Sequence, residues 1–297
     1  MPTLTHSGPR IGLALGGGGA RGIAHVHALQ ALDDLGLRPA AIAGTSIGAI
    51  VGAGTAAGLS GGEVREVLVS SFRNQGEVWS RIWQLRPKRF GDIFGNGLVQ
   101  FDAERVLDVF LPESVPSDFA MLRTPLAIAA TDFYGCSEVT LTSGPLRLAI
   151  AASIALPIVF KPVVVDGVVM MDGGVTNPLP YDRLPEPVDI VLAVDVVGMP
   201  VRADARPVPT AWESIFGASQ ILMQSITTQK VGKRPPDILA RPSVDAFKVL
   251  DFLKVAAIIK ATAPIRDDIK RELDTAITAF EKGRRPRGGG DRQGGGA

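Results

Sequence analysis

Gly44-Thr-Ser46-Ile-Gly48 sets a serine between two glycines at the spacing of a nucleophile elbow. In such a turn a strand bends sharply into a helix and holds a hydroxyl exposed above the sheet. A short apolar run ends at Gly44, and a helix-compatible run rich in Gly, Ala, Ile and Thr follows Ser46. A side chain at either glycine would collide with the neighbouring strand or helix. A nucleophilic serine needs a group to take its proton and donors to hold the oxyanion that its attack creates. The chain has three histidines, His6, His25 and His27. His25 and His27 stand two residues apart on one helix and face different directions. None follows the serine, where an α/β-hydrolase carries its base, so a histidine triad of that kind is not expected. Among carboxylates, Asp172 in Met170-Met-Asp-Gly-Gly174 is the best placed, since it ends an apolar strand and precedes two glycines that let backbone pass closely over a site. An Asp-Gly turn would leave the same string, and Asp132, Asp166 and Asp195 compete from other strand ends and turns. A carboxylate near pKa ~4 is a weak base in water, and a partly dry pocket raises its basicity.

A second glycine cluster, Gly16-Gly-Gly-Gly-Ala-Arg21-Gly22, follows an apolar strand and opens a helix. Gly17-x-Gly19-x-x-Gly22 satisfies the dinucleotide fingerprint, which also demands an acidic residue capping a second strand about 20 residues on. Asp33 and Asp34 fall instead in or at the end of the first helix, and the second strand runs into the serine elbow. The other reading is an anion cradle of backbone N–H groups at a helix start, which holds an oxyanion as well as a phosphate. The elbow on the next strand favours the oxyanion hole.

The elements that must position these residues follow from periodicity and breakers. Strands are expected at Ile11–Leu15, Ala40–Ala43, Pro125–Thr131, Glu138–Leu141, Ile190–Val196 and Asp237–Ala240. Val163–Val165 and Val168–Met171 read as a hairpin with Asp166-Gly167 at its tip. Helices are expected over Ile23–Leu35, over Gly62–Ser71 behind a Ser60/Glu63 capping box, and over Asp102–Phe110, Leu146–Ser153 and Trp212–Val231. One or two amphipathic helices should lie within Asp245–Lys282. Strands alternating with helices indicate a mostly parallel sheet covered on both faces.

A chain of 297 residues with 46% hydrophobic content can bury a large core, and a net charge of +1 gives no reason to expect nucleic acid. Its single cysteine, Cys136, cannot form an internal disulfide and reads as a small packed residue. No apolar run approaches the ~20 residues of a spanning helix, and Met1–Arg10 carries no signal-peptide core. A cytoplasmic protein is therefore expected, with peripheral contact to a membrane left open. Phe72–Phe101 mixes Trp79, Trp83, Phe90 and Phe94 with Arg81, Arg86, Lys88 and Arg89, which would suit an acyl pocket, a membrane-facing cap, or a segment filling its own core. Gly283–Ala297, rich in glycine and arginine, is expected to be disordered, as are residues 1–9 flexible, leaving residues 10–282 as one domain.

The glycine cluster with Arg21 and Gly22, Gly44-Thr-Ser46-Ile-Gly48 and Asp172-Gly-Gly174 together resemble, in order, the three motif blocks of the patatin-like phospholipase family. Ala152-Ser-Ile-Ala-Leu-Pro157 resembles a segment of its bacterial members and of its neuropathy target esterase branch. The resemblance implies a three-layer α/β/α fold with a mostly parallel central sheet. It implies a Ser46–Asp172 dyad without histidine, with Ser46 the nucleophile and Asp172 the proton acceptor. It also implies an oxyanion hole from Gly17, Gly18 and Gly19, with Arg21 bracing that loop or aiding anion recognition. Gly22, Gly44, Gly48, Gly173 and Gly174 would support the site. The implied substrate is a lipid ester: a phospholipid, lysophospholipid or neutral glyceride. No metal or organic cofactor is required. The alternatives are a nucleotide-binding regulatory protein using the same glycine loop, or a catalytically silent relative.

Overall fold

The computed structural model describes residues 8–73, 100–202 and 208–283. Most of the aromatic stretch, with Trp79, Trp83, Phe90 and Phe94, lies outside the described residues, as do residues 1–7 and 284–297. An eight-stranded sheet forms the centre. Its strands are β1 (Ile11–Leu15), β2 (Ala41–Thr45), β3 (Leu126–Asp132), β4 (Ser137–Leu141), β5 (Val163–Val165), β6 (Val168–Asp172), β7 (Ile190–Val194) and β8 (Ile238–Ala240). The run β3-β2-β1-β7-β8 is parallel throughout, while β4, β5 and β6 pair antiparallel.

Central strands covered on both sides read as unbroken apolar runs, and β1 and β2 are buried along their full length. The two covering layers are unequal. Ile11, Leu13 and Leu15 point into the large core with Ile190 and Leu192. Ala14 and Ala193, on the opposite face, form a small cluster with Leu179 and Tyr181, with Val191, Val231 and Leu239 packed alongside. Large side chains on one face and small ones on the other match a thick helical layer and a thin one.

Among the described residues the helices are α1 (His25–Asp34), α2 (Ile47–Ala56), α3 (Gly61–Arg73), α4 (Ala103–Phe110), α5 (Leu146–Ser153), α6 (Ala211–Lys233), α7 (Val255–Thr262) and α8 (Ile265–Glu281). The glycine cluster enters α1 through a 3-10 helix, Gly19–Ala24, so the helix expected from Ile23 begins as a tighter coil. Ser60 and Glu63 form the expected capping box on α3. Asp166 (φ 50) and Gly167 (φ 80) close the β5–β6 hairpin in left-handed conformation, as that turn requires. Cys136 departs from expectation. It is exposed, at φ 50, in the turn between β3 and β4, because a tight hairpin turn projects its residues outward.

The topology that matters for the site runs along one edge of β3. Ile128–Asp132 pair with β4 on one side, so β2 and β6 must share the other. β2 runs alongside up to the Thr45–Ala129 pair. β6 arrives from the opposite direction and ends at the Ala130–Asp172 pair. The residue after Thr45 and the last residue of β6 therefore meet end to end.

Candidate active site

Because β2 stops at Thr45 and α2 starts at Ile47, Ser46 alone turns the chain, at φ 54 and ψ −123. A serine held in this region stores about 1–3 kcal/mol of strain, which its surroundings must override. The Ser46 amide donates to Ser153 Oγ at 2.8 Å, and that hydroxyl donates to the Ala129 carbonyl at 2.7 Å. Thr45 Oγ1 donates to the Asn177 carbonyl at 2.8 Å. Glycine is required on both sides. A β-carbon on Gly48 would run into the Leu15 carbonyl, and one on Gly44 would lie 2.5 Å from the Gly48 carbonyl.

Across the gap, Ser46 Oγ donates to Asp172 Oδ2 at 2.7 Å. The other oxygen, Oδ1, accepts the Gly174 amide at 2.7 Å. Asp172 caps the 3-10 turn Gly173–Val175, and Thr131 Oγ1 donates to its carbonyl at 2.9 Å. Gly173 lies so close to the Ala129 carbonyl that no side chain fits there. Asp172 is only 4% exposed. Burial pushes its carboxyl up to about 6, although the hydrogen bonds from Ser46 and Gly174 pull it back down. The result is a stronger base than a free aspartate that is still mostly ionised at neutral pH. The competing carboxylates are spent elsewhere. Asp132 accepts the amides of Tyr134 and Gly135, Asp195 takes Val197 N–H and Arg241, and Asp166 is exposed at its hairpin tip.

The glycine loop lies against this pair but not all of it offers donors. The Gly16 amide donates to the Val194 carbonyl at 3.0 Å and the Gly17 amide to the Pro178 carbonyl at 2.9 Å. The Gly17 amide, expected among three free donors, is thus taken, while Gly18 and Gly19 cap and open the 3-10 helix and so have no acceptor within it. Gly17 contributes proximity instead: a β-carbon there would stand 3.4 Å from Ser46 Cβ. Gly22 makes room for Ile47 at the start of α2. Arg21 is buried, and its guanidinium is occupied by the Phe247 carbonyl at 2.7 Å, the Val197 carbonyl at 2.5 Å and Gln220 Oε1 at 3.2 Å. Burial lowers its pKa, with Asp245 and Asp251 opposing. Of the two roles expected for Arg21, these contacts are those of a brace.

Ser46, Asp172, Gly18 and Gly19 share one cavity of about 940 Å³, walled by apolar side chains such as Leu156, Ile158, Val159 and Phe216. That is the size and character of a site for a drug-sized or larger ligand. No three His, Cys, Asp or Glu side chains among the described residues converge to hold a metal ion.

The profile of the family described as "Patatin-like phospholipase" matches residues 13–184, more than half the chain. This chain belongs to that family. Uncharacterized NTE family proteins of Mycobacterium bovis (Mb1092c) and Mycobacterium tuberculosis (Rv1063c) are each 37% identical over 212 residues, covering 69% of this chain and 54% of theirs. Lysophospholipase NTE1 of Yarrowia lipolytica is 28% identical over 284 residues, 84% of this chain and 18% of that one. The chain thus spans about half the length of the mycobacterial relatives it matches. Among solved structures, VipD from Legionella pneumophila aligns over 90% of this chain and 67% of its own at 14% identity, with a TM-score of 0.49.

In this patatin-like chain the acidic residues that a dinucleotide site would need point elsewhere. Asp33 takes the Gly61 amide and Arg38, and Asp34 takes Arg266 and Lys270. Three residues around the site have roles that the sequence does not assign. Ser153, which holds the elbow's amide, lies in a segment with a motif but no role attached. His25 is fully buried with Nε2 2.9 Å from the Gly16 carbonyl, and burial lowers it to about 4, so at neutral pH it is an uncharged donor steadying the loop. Met223 reaches the site from α6, some 180 residues away in sequence, and no local signal marks it.

Proposed function

We propose that this chain hydrolyses carboxylic esters of lipids through a Ser46–Asp172 dyad. The 2.7 Å Ser46 Oγ–Asp172 Oδ2 hydrogen bond on the floor of an apolar cavity carries the reading. Ser46 Oγ attacks the ester carbonyl as Asp172 takes its proton, and the oxyanion is held by the Gly18 and Gly19 amides. The proton passes to the departing alkoxide oxygen as the C–O bond breaks, leaving an acyl-Ser46. Water, deprotonated by Asp172, then attacks the acyl carbon, and the returning proton restores Ser46 as the fatty acid leaves. No imidazole is needed, because the raised basicity of Asp172 and its direct contact with the hydroxyl replace it.

The similarity to the Yarrowia lipolytica lysophospholipase favours a monoacyl phospholipid as the substrate. The mouth of the cavity supports contact with a lipid surface. Met199, Val201, Val208, Trp212 and Leu250 line the cavity while remaining 49–72% exposed, an apolar rim through which an alkyl chain could pass from a bilayer. Among the described residues no helix is long and apolar enough to cross a membrane.

A fluorophosphonate probe should label wild-type protein at Ser46 and leave Ser46→Ala unlabelled. Asp172→Asn should lose at least about 100-fold in kcat/KM on lysophospholipid and soluble esters while remaining folded. Full activity in Asp172→Asn would overturn the dyad, and an unreactive Ser46 in the wild type would favour a binding protein.

A further inference from the structure

Helix α6 is anchored by few inward side chains. Trp212, Ile221 and Leu222 are more than half exposed, and Gln220 and Thr227 are its buried residues. Between those two lies Met223, which lines the catalytic cavity. Its terminal methyl, Cε, stands 2.8 Å from the position a β-carbon would take on Gly174 and 3.6 Å from the corresponding position on Gly17. The Gly17 position is itself 3.4 Å from Ser46 Cβ. One methyl group therefore closes the gap between the glycine loop and the aspartate turn, beside the serine.

Gly174 is not among the residues at positive φ, so its backbone would accept alanine. What fills the space of that side chain is Met223 Cε at 2.8 Å and Sδ at 3.4 Å, with Asp172 Oδ1 at 3.0 Å. The bare Gly174 and the long, unbranched Met223 are thus complementary in shape. Once Ser46 Oγ bonds the carbonyl carbon and the oxyanion turns to Gly18 and Gly19, the first carbon of the acyl chain must share the remaining floor with this thioether. An unbranched methylene needs little width there, whereas a branch at that carbon meets the methionine.

We infer that Met223 is a specificity-determining residue that restricts the acyl group to chains unbranched next to the ester carbonyl. This rests on the ester-hydrolase reading above. A methionine side chain is adaptable, so the discrimination should be that of one or two methyl groups in a pocket, about tenfold rather than absolute.

Two p-nitrophenyl esters with the same leaving group and carbon count, the butyrate and the 2-methylpropanoate, provide the test. In Met223→Ala the ratio of kcat/KM for the branched ester over the linear one should rise about tenfold above wild type. Gly174→Ala should push the thioether toward Ser46 and lower kcat/KM on both esters, and the double variant Gly174→Ala/Met223→Ala should recover to within about threefold of Met223→Ala alone. Melting temperatures measured alongside separate loss of fold from loss of fit, and Gly174→Ala tests the same contact should Met223→Ala fold poorly. An unchanged ratio in Met223→Ala overturns the inference. So does a Gly174→Ala defect that persists in the double variant, which would trace that defect to Asp172 Oδ1. A wild-type chain inert to both esters and to fluorophosphonate would instead overturn the hydrolase reading itself.

Discussion

Asp172 carries opposite consequences for stability and for chemistry. Its folded pKa, about 6, lies above the value near 4 of an unfolded aspartate, so between these limits the native state binds more protons than the unfolded chain. The contribution of Asp172 to stability is therefore fully present below about pH 4 and is lost as pH rises through about 6. The cost of the ionised carboxylate at neutral pH is on the order of 3 kcal/mol. Asp172→Asn should remove much of it. Urea unfolding at pH 7.5 should show this variant more stable than wild type by about 1–3 kcal/mol, with the gap closing near pH 4. Wild-type kcat/KM should rise with pH along an acid limb centred near 6, where Asp172 becomes able to accept the serine proton. A flat profile between pH 5 and 7 would count against Asp172 as the base.

The β2–α2 elbow works because a strand end, a helix start and the end of β1 converge without side chains between them. Gly48 packs directly on the Leu15 and Gly16 carbonyls, which are backbone and cannot swing away. Gly48→Ala should cost at least about 3 kcal/mol, at the upper end of overpacking, and should abolish ester hydrolysis with it. Gly54, further along the same helix, is a built-in control. A β-carbon there would make ordinary contacts of 3.5 Å with Leu59 and 3.6 Å with Val64. Gly54→Ala should raise stability by about 0.5–1 kcal/mol through helix propensity and leave activity intact. Thermal melts of the two variants distinguish close backbone packing from a general intolerance of α2 to substitution.

At the scale of the whole molecule, the floor that holds Ser46 and Asp172 and the exposed rim belong to one cavity. The walls come from distant parts of the chain: the glycine loop, the segment after β7, α6, and residues 245–250. Arg21 ties three of them together through Val197, Gln220 and Phe247. If the rim meets a lipid surface, replacing Val208 and Trp212 with serine should reduce hydrolysis of vesicle-borne lysophospholipid at least fivefold more than hydrolysis of a short soluble ester (about 1 kcal/mol of lost apolar contact). Co-sedimentation with the same vesicles should fall in parallel. Equal losses on both substrates would place the two residues in substrate binding alone.

Much of the site was legible in the sequence because its signals are local. β1 and α5 have the expected bounds, since an unbroken apolar run and a short helical pattern each carry their own period. Ser46 was marked by two glycines within two residues, and the loop by four consecutive glycines after a strand. What the residues alone left open among Asp132, Asp166, Asp172 and Asp195 was narrowed to Asp172 by resemblance. Only the tertiary structure brings Asp172 to Ser46, because their contact depends on β2 and β6 approaching from opposite ends along one edge of β3. Strand pairing across more than 100 residues leaves no local trace. The same holds for Gly17, whose amide is taken by a carbonyl of Pro178, and for Met223, which a largely exposed helix brings beside Ser46 and Gly174. Residue types and spacing determined which groups could react. Long-range packing decided which of them meet, which donors remain free, and how much room is left beside the serine.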